Sequence, residues 1–82
     1  MRGRAIMLIH VRRRHIERGK PSRTQKCPVA LAYLEATGER PRVQYDALYT
    51  RTGYFGLPSI VRRFIARFDA GLPVKPFAFV LK

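Results

Sequence analysis

This sequence of 82 residues is poor in the side chains that carry most catalytic and metal chemistry. It holds one cysteine, two histidines, five acidic residues and no tryptophan. The single cysteine, Cys27, excludes an internal disulfide and fits a reducing compartment. A structural zinc needs about four nitrogen or sulfur ligands, usually in spaced pairs, and the sequence has no such spacing. It also has no glycine-rich phosphate loop, so we expect neither a metal nor a cofactor.

Long apolar runs are absent as well. The longest run, residues 5–9, is far shorter than the roughly 20 apolar residues that span a membrane. Because no small-residue cleavage site follows it, we expect no signal peptide and no membrane segment. The chain is 46% hydrophobic, with four tyrosines and five phenylalanines. These values predict one small folded domain, residues 1–82, with a modest core.

The candidates for nucleophilic catalysis do not form a pattern. His10 lies in a predicted strand and is typical of a core or sheet-edge histidine. His15 lies among arginines, where it favours a polar contact or a phosphate hydrogen bond over a role as base. Cys27 precedes a predicted helix, whose dipole can lower a thiol pKa, but a small buried side chain is the simpler interpretation. We therefore predict no catalytic residues and no enzyme; a small hydrolase or nuclease is the weakest alternative.

What the sequence has in excess is positive charge. Seventeen lysines and arginines oppose five acids, which gives a net charge of +12 and a pI near 11.3. Nine of these cations lie in the first 26 residues, where only Glu17 opposes them. Such an asymmetric field predicts an anionic partner, either nucleic acid or an acidic protein surface.

Hydrophobic periodicity divides the chain into strands and helices. We predict strands over residues 5–12, 42–46, 47–51 and 74–81, with residues 54–55 extending the third into a hairpin through Thr52-Gly53. Helices are predicted over 13–18, 27–37 and 57–71, stopped by Gly19, Gly38 and Gly71. The fold class is then α+β: a small single-domain, three- to four-stranded, mainly antiparallel sheet with two main helices packed on one face. The first strand is apolar on both faces and is placed centrally, and residues 1–4 form a flexible basic terminus.

The helix over 57–71 has two faces of opposite chemistry. Its apolar arc is formed by Ile60, Val61, Phe64, Ile65 and Phe68. Arg62, Arg63 and Arg67 lie outside that arc and form a cationic ridge. A second basic group occupies the N-terminal half. The predicted nucleic-acid or acidic-partner site comprises Arg12, Arg13, Arg14, His15, Arg18, Lys20, Arg23, Lys26, Arg62, Arg63 and Arg67.

Aromatic side chains offer a further contact surface. Tyr33, Tyr45, Tyr49, Tyr54 and Phe55 can stack on bases if the sheet face is open. No signature of a known base-reading module is present, so binding is expected to be directed mainly at the backbone.

Three segments together resemble a group of short, uncharacterised proteins encoded by bacteriophages. They are HIERGKPSRTQKCPVALA, RVQYDALY and LPSIVRRFIARFDAGLPVKPFAF, which span about residues 10–80. The resemblance implies a small accessory protein acting in a bacterial host cytoplasm and no catalytic residues. With the charge, it predicts a non-enzymatic nucleic-acid-binding protein. The alternative is a protein-binding regulator or inhibitor of a host machine, such as RNA polymerase or a defence complex. The oligomeric state is left open.

Overall fold

The computed structural model describes residues 6–44 and 46–82. The predicted loose terminus, residues 1–4, lies outside these residues, as do Ala5 and Tyr45. The elements in chain order are β1 (Met7–Val11), α1 (Arg13–Arg18), α2 (Pro28–Thr37), β2 (Arg42–Gln44), β3 (Ala47–Tyr49), β4 (Tyr54–Gly56), α3 (Ser59–Asp69) and β5 (Phe77–Leu81). The α+β class and the predicted order of elements are confirmed.

The strands are divided between two antiparallel sheets. One pairs β1 with β5, and the other has the order β2-β3-β4. The predicted central position of the first strand is therefore wrong, because within residues 6–44 and 46–82 β1 pairs with β5 alone. The apolar face that suggested a central strand faces solvent instead: Leu8 and its direct partner Val80 are both exposed.

The other face of the β1–β5 sheet forms part of the core. Ile9 lies opposite Phe79, and both are buried with Val11 and Leu81. Helix α3 packs on this face through Phe64, whose ring centroid is 4.7 Å from that of Phe77. The same core cluster includes residues of α2, β2 and β3.

Helix α2 has the ends that the sequence predicts, whereas α3 covers Ser59–Asp69 within the predicted 57–71 and has Pro58 as its N-cap. The Sγ of Cys27 accepts a hydrogen bond from the Ala30 amide at 3.5 Å, and Pro28 occupies the first turn of α2. The left-handed conformation of Gly38 (φ 80°) ends α2, and Gly71 (φ 78°) follows α3. In α3 the apolar arc is narrower than predicted, because Ile60 is half exposed whereas Val61 and Phe64 are buried.

The β2–β3–β4 sheet has one face on the core and one towards solvent. Val43 and Leu48 lie opposite each other and are buried. The four-residue connection between β3 and β4 is closed by a hydrogen bond from the Thr50 amide to the Gly53 carbonyl at 2.8 Å, which confirms the predicted hairpin. Among the described helices, none is long and apolar enough to span a membrane.

Candidate nucleic-acid interface

The residues of the Arg-Arg-Arg-His run, 12–15, form two groups at helix α1: some make contacts within the protein, and the others are free to contact a partner. His15 is buried, with 4% of its surface exposed. Its Nδ1 accepts a hydrogen bond from the Arg12 amide at 2.9 Å, so the ring proton lies on Nε2, which is 2.9 Å from Oε1 of Glu35. Both ring nitrogens are occupied within the fold. The structure contradicts His15 as a phosphate contact and gives it a role in joining α1 to α2.

Arg14 is also engaged within the protein. Its guanidinium forms a bidentate ion pair with the Glu35 carboxylate, through Nε at 3.2 Å and through NH2. The hydrogen bonds from Arg14 and then His15 lower the pKa of Glu35 from 4.5 to about 2. Because this carboxylate neutralises one guanidinium, Arg14 is a weaker candidate for binding an external anion than its two neighbours.

Arg12 and Arg13 are exposed and lie beside the segment that leads into β5. Three adjoining surface grooves follow this segment, residues 72–77. The first is lined by Arg12 and Arg13 with Pro76, the second by Arg13 with Pro73, and the third by cations of α3 with both prolines. Neighbouring grooves share Arg13, Pro73 or Pro76 as lining residues, and we name the three together the basic groove.

Five cations line the basic groove: Arg12, Arg13, Arg63, Arg67 and Lys75. None of the described residues that line it is acidic. Cations of the N-terminal cluster and of the α3 ridge, separate in sequence, thus line grooves along the same segment, residues 72–77. Guanidinium groups that line grooves without a carboxylate raise the local positive potential, and their forked donors match phosphate oxygens.

Two members of the basic groove have further features. Arg67 donates from Nε and NH2 to the Pro73 carbonyl, at 3.3 and 3.1 Å, and so holds the segment against α3. Lys75 was not predicted as a site residue. In the sequence, only the charge of Lys75 indicates a binding role. Its place in the groove depends on how the chain between Pro73 and Pro76 packs beside α3.

The other predicted cations lie outside the basic groove. Arg18, Lys20, Arg23, Lys26 and Arg62 are all exposed. Lys20 and Lys26 close a loop, since the Lys20 amide donates to the Lys26 carbonyl at 2.9 Å. That loop adjoins the groove through Pro21, which lines it together with Arg13. Arg62 is on α3 but lines none of the three grooves.

The aromatic candidates separate clearly by exposure. Tyr33 is buried in the core, so the prediction that it stacks on bases is wrong. Phe55 is partly buried against the core, whereas Tyr49 and Tyr54 face solvent. Tyr45 lies outside the described residues.

Cys27 has the environment of a structural cysteine. It is buried at the start of α2, and burial raises the pKa of its thiol despite the backbone amides nearby. The predicted small buried side chain is confirmed. In residues 6–44 and 46–82, no three His, Cys, Asp or Glu side chains gather in a group that could hold a metal ion.

No protein-family model, curated protein or solved structure matches this chain.

Proposed function

We propose that this chain is a non-enzymatic accessory protein that binds nucleic acid mainly through phosphate contacts. The convergence of five cations on the basic groove, without a lining carboxylate, supports this function most directly. Arg12 and Arg13 come from the first quarter of the chain, and Arg63 and Lys75 from the last third. The fold therefore brings cations from distant parts of the sequence to the same segment.

The chemistry of the groove fits a phosphodiester backbone. Every cation that lines it is exposed, so binding requires little rearrangement of the core. Each phosphate that these cations neutralise releases condensed counterions, and this release makes the affinity fall with rising salt. Contacts of this kind position a protein on nucleic acid without reading its sequence.

The resemblance to short phage-encoded proteins adds a biological setting to the proposal. An accessory protein of this kind would act on nucleic acid in the cytoplasm of a bacterial host. Neither the setting nor the location is needed for the binding test, which depends on the groove alone.

Charge reversal inside and outside the groove tests the function. We expect Arg13→Glu together with Arg63→Glu to weaken binding to a mixed-sequence duplex at least tenfold near physiological salt, about 150 mM. Fluorescence anisotropy of a labelled oligonucleotide measures the affinity. Arg14 is left unchanged, because its reversal would also break the ion pair with Glu35.

Arg62 provides the matched control. It lies next to Arg63 on α3 and is exposed, but it does not line the basic groove. Arg62→Glu should weaken binding less than threefold, whereas Arg63→Glu alone should weaken it more. Equal losses for the two variants would show a diffuse charge effect and contradict the groove. Negligible binding by the unmodified protein would contradict the function itself.

An acidic protein surface is the second candidate partner, and one observation favours it. The groove along α3 combines Arg63 and Lys75 with an apolar floor that includes Phe64, Phe77 and the half-exposed Ile60. Cations around an apolar floor also suit an acidic amphipathic segment. Pull-down from nuclease-treated host lysate, compared between the protein and its Ile60→Ser variant, tests this partner. A bound protein lost with Ile60→Ser would favour the regulator function over nucleic-acid binding.

A further inference from the structure

The outer face of the β2–β3–β4 sheet presents two tyrosines side by side. Tyr49 of β3 lies directly opposite Tyr54 of β4, and their ring centroids are 5.8 Å apart. Tyr54 is 70% exposed and Tyr49 is 38% exposed. These rings therefore present π surface to solvent outside the basic groove.

A cation extends the two tyrosines into a row. Arg42 of β2 lies directly opposite Tyr49 in the sheet register and is exposed. We name Arg42, Tyr49 and Tyr54 the aromatic row. Neighbouring strands are about 4.8 Å apart, so the row crosses roughly 10 Å of sheet.

The surface beside the aromatic row is open at Gly56, although Ala47 opposite it is buried, and the sheet beneath the row is anchored. Gly56 follows Tyr54 by two residues on the same face, and a Cβ at Gly56 would meet no atom within 4 Å. On the opposite face Leu48 is completely buried. A flat ligand can thus approach the rings without displacing side chains of the core.

A loop with two cations borders the β2 edge of the sheet, where the row ends at Arg42. The edge of β2 is held to the loop over residues 20–26, because the Val43 amide donates to the Thr24 carbonyl at 2.7 Å. The exposed Arg23 and Lys26 belong to that loop. A strand that crosses from β4 to β2 would therefore reach the sheet edge that this loop borders.

We propose that the aromatic row binds unpaired nucleobases of a single-stranded nucleic acid, a proposal that rests on the proposed function. Tyr49 and Tyr54 stack on the bases, and Arg42 contacts the backbone beside them. Every base has a π face, so such stacking tolerates many sequences. In a duplex those faces are covered by neighbouring base pairs, which makes the row selective for single strands. Single-stranded DNA and RNA share this chemistry.

The tyrosine pair also has a structural role that the test must separate from binding. Cross-strand aromatic pairs stabilise antiparallel hairpins. Tyr54→Phe keeps the aromatic ring, whereas Tyr54→Leu keeps an apolar side chain but removes the π surface. Thermal unfolding of both variants establishes that the fold is retained at the temperature of the binding measurement.

The experiment compares three ligands by fluorescence anisotropy. They are a single strand of about ten nucleotides, the same strand with abasic sites at its central positions, and the corresponding duplex. We expect Tyr54→Leu to weaken binding to the intact single strand about tenfold. Its affinity for the abasic strand and for the duplex should change less than twofold. Tyr54→Phe should bind all three ligands as the unmodified protein does.

The outcomes separate this proposal from the function on which it rests. An affinity of Tyr54→Leu for the intact strand equal to that of the unmodified protein overturns the aromatic row and leaves the basic groove in place. An equal loss for the single strand and the duplex also overturns it. If the unmodified protein binds none of the three ligands, both proposals are overturned. Ribose and deoxyribose versions of the strand distinguish RNA from DNA. If binding to either version depends on Tyr54, the aromatic row is supported.

Discussion

At the scale of single residues, the polar contacts of α1 decide which arginines are available to a partner. His15 accepts a hydrogen bond from the Arg12 amide and is hydrogen-bonded to Glu35. Glu35 also binds Arg14. In a typical capping box a glutamate or glutamine at this third helical position caps the amide, and here a histidine takes its place. Arg14 is thereby paired with a carboxylate at the surface, while Arg12 and Arg13 line the basic groove.

Glu35 should make the stability of this junction depend on pH. Its pKa in the folded protein, about 2, lies below its ordinary value of 4.5, so folding favours the ionised carboxylate. The contribution to the free energy of unfolding is complete above pH 4.5 and is lost as the pH falls through about 2. Urea unfolding between these pH values should show a steeper loss for the unmodified protein than for Glu35→Gln.

Glu17→Gln provides the control for this pH dependence. Glu17 is an exposed carboxyl of α1, and its replacement removes the same charge without touching the ion pair of Arg14. The Glu17→Gln variant should follow the unmodified protein across the whole range. If the free energy of unfolding of Glu35→Gln changes with pH in parallel with that of the unmodified protein, Glu35 does not contribute to the pH dependence.

At the scale of elements, the close approach of α1 and α2 depends on Gly19. The sequence predicts this glycine only as the stop of α1. Its φ is −68°, so the backbone conformation itself does not require glycine. A Cβ at Gly19 would lie 2.7 Å from Cδ of Pro28 and 2.9 Å from the His15 carbonyl oxygen. The requirement is therefore one of space between the end of α1 and the first turn of α2.

Gly19→Ala should destabilise the protein by about 1–3 kcal/mol, because an overpacked contact forces both helices to shift. Chemical denaturation measures the free energy of unfolding. Gly56→Ala is the matched control, since a Cβ at Gly56 meets no atom within 4 Å and should leave stability within about 0.5 kcal/mol. Similar values for the two variants would contradict the close approach at Gly19.

At the scale of the whole molecule, the net charge of +12 acts on folding as well as on binding. Within the part of the chain that the structure describes, Glu35 is the carboxylate that forms an ion pair with Arg14, and it is also hydrogen-bonded to His15. Most of the positive charge therefore faces solvent, and its mutual repulsion opposes the compact state. Salt screens this repulsion over a Debye length of about 10 Å at 0.1 M.

Salt should accordingly have opposite effects on stability and on affinity. We expect the melting temperature to rise between about 10 mM and 150 mM NaCl, because screening relieves repulsion in the folded state. Over the same range the affinity for nucleic acid should fall. Differential scanning calorimetry measures the first effect and anisotropy the second. The Arg13→Glu and Arg63→Glu double variant, whose net charge is lower by four, should show a smaller rise. A melting temperature that falls with salt would contradict this account.

Local residue patterns determined the elements and their order. Alternation in residues 77–81 and helical spacing in residues 59–69 reflect contacts between near neighbours, and Pro28, Gly38 and Gly71 act through their own backbone geometry. The order of strands and helices, the α+β class and the excess charge were therefore readable without a structure. Single-sequence patterns did not show the division into two sheets, because strand pairing between β1 and β5 joins residues some 70 positions apart.

The candidate sites were decided by the tertiary structure. In the sequence Arg13 and Arg14 are equivalent, yet packing of α1 on α2 binds Arg14 to a carboxylate 21 residues away and leaves Arg13 in the basic groove. Tyr33 and Tyr54 are likewise equivalent in the sequence, but in the fold Tyr33 is buried in the core and Tyr54 is exposed. Composition fixes how much charge and aromatic surface the chain carries. Long-range packing alone decides where they meet, because contacts between distant segments have no signature in local spacing.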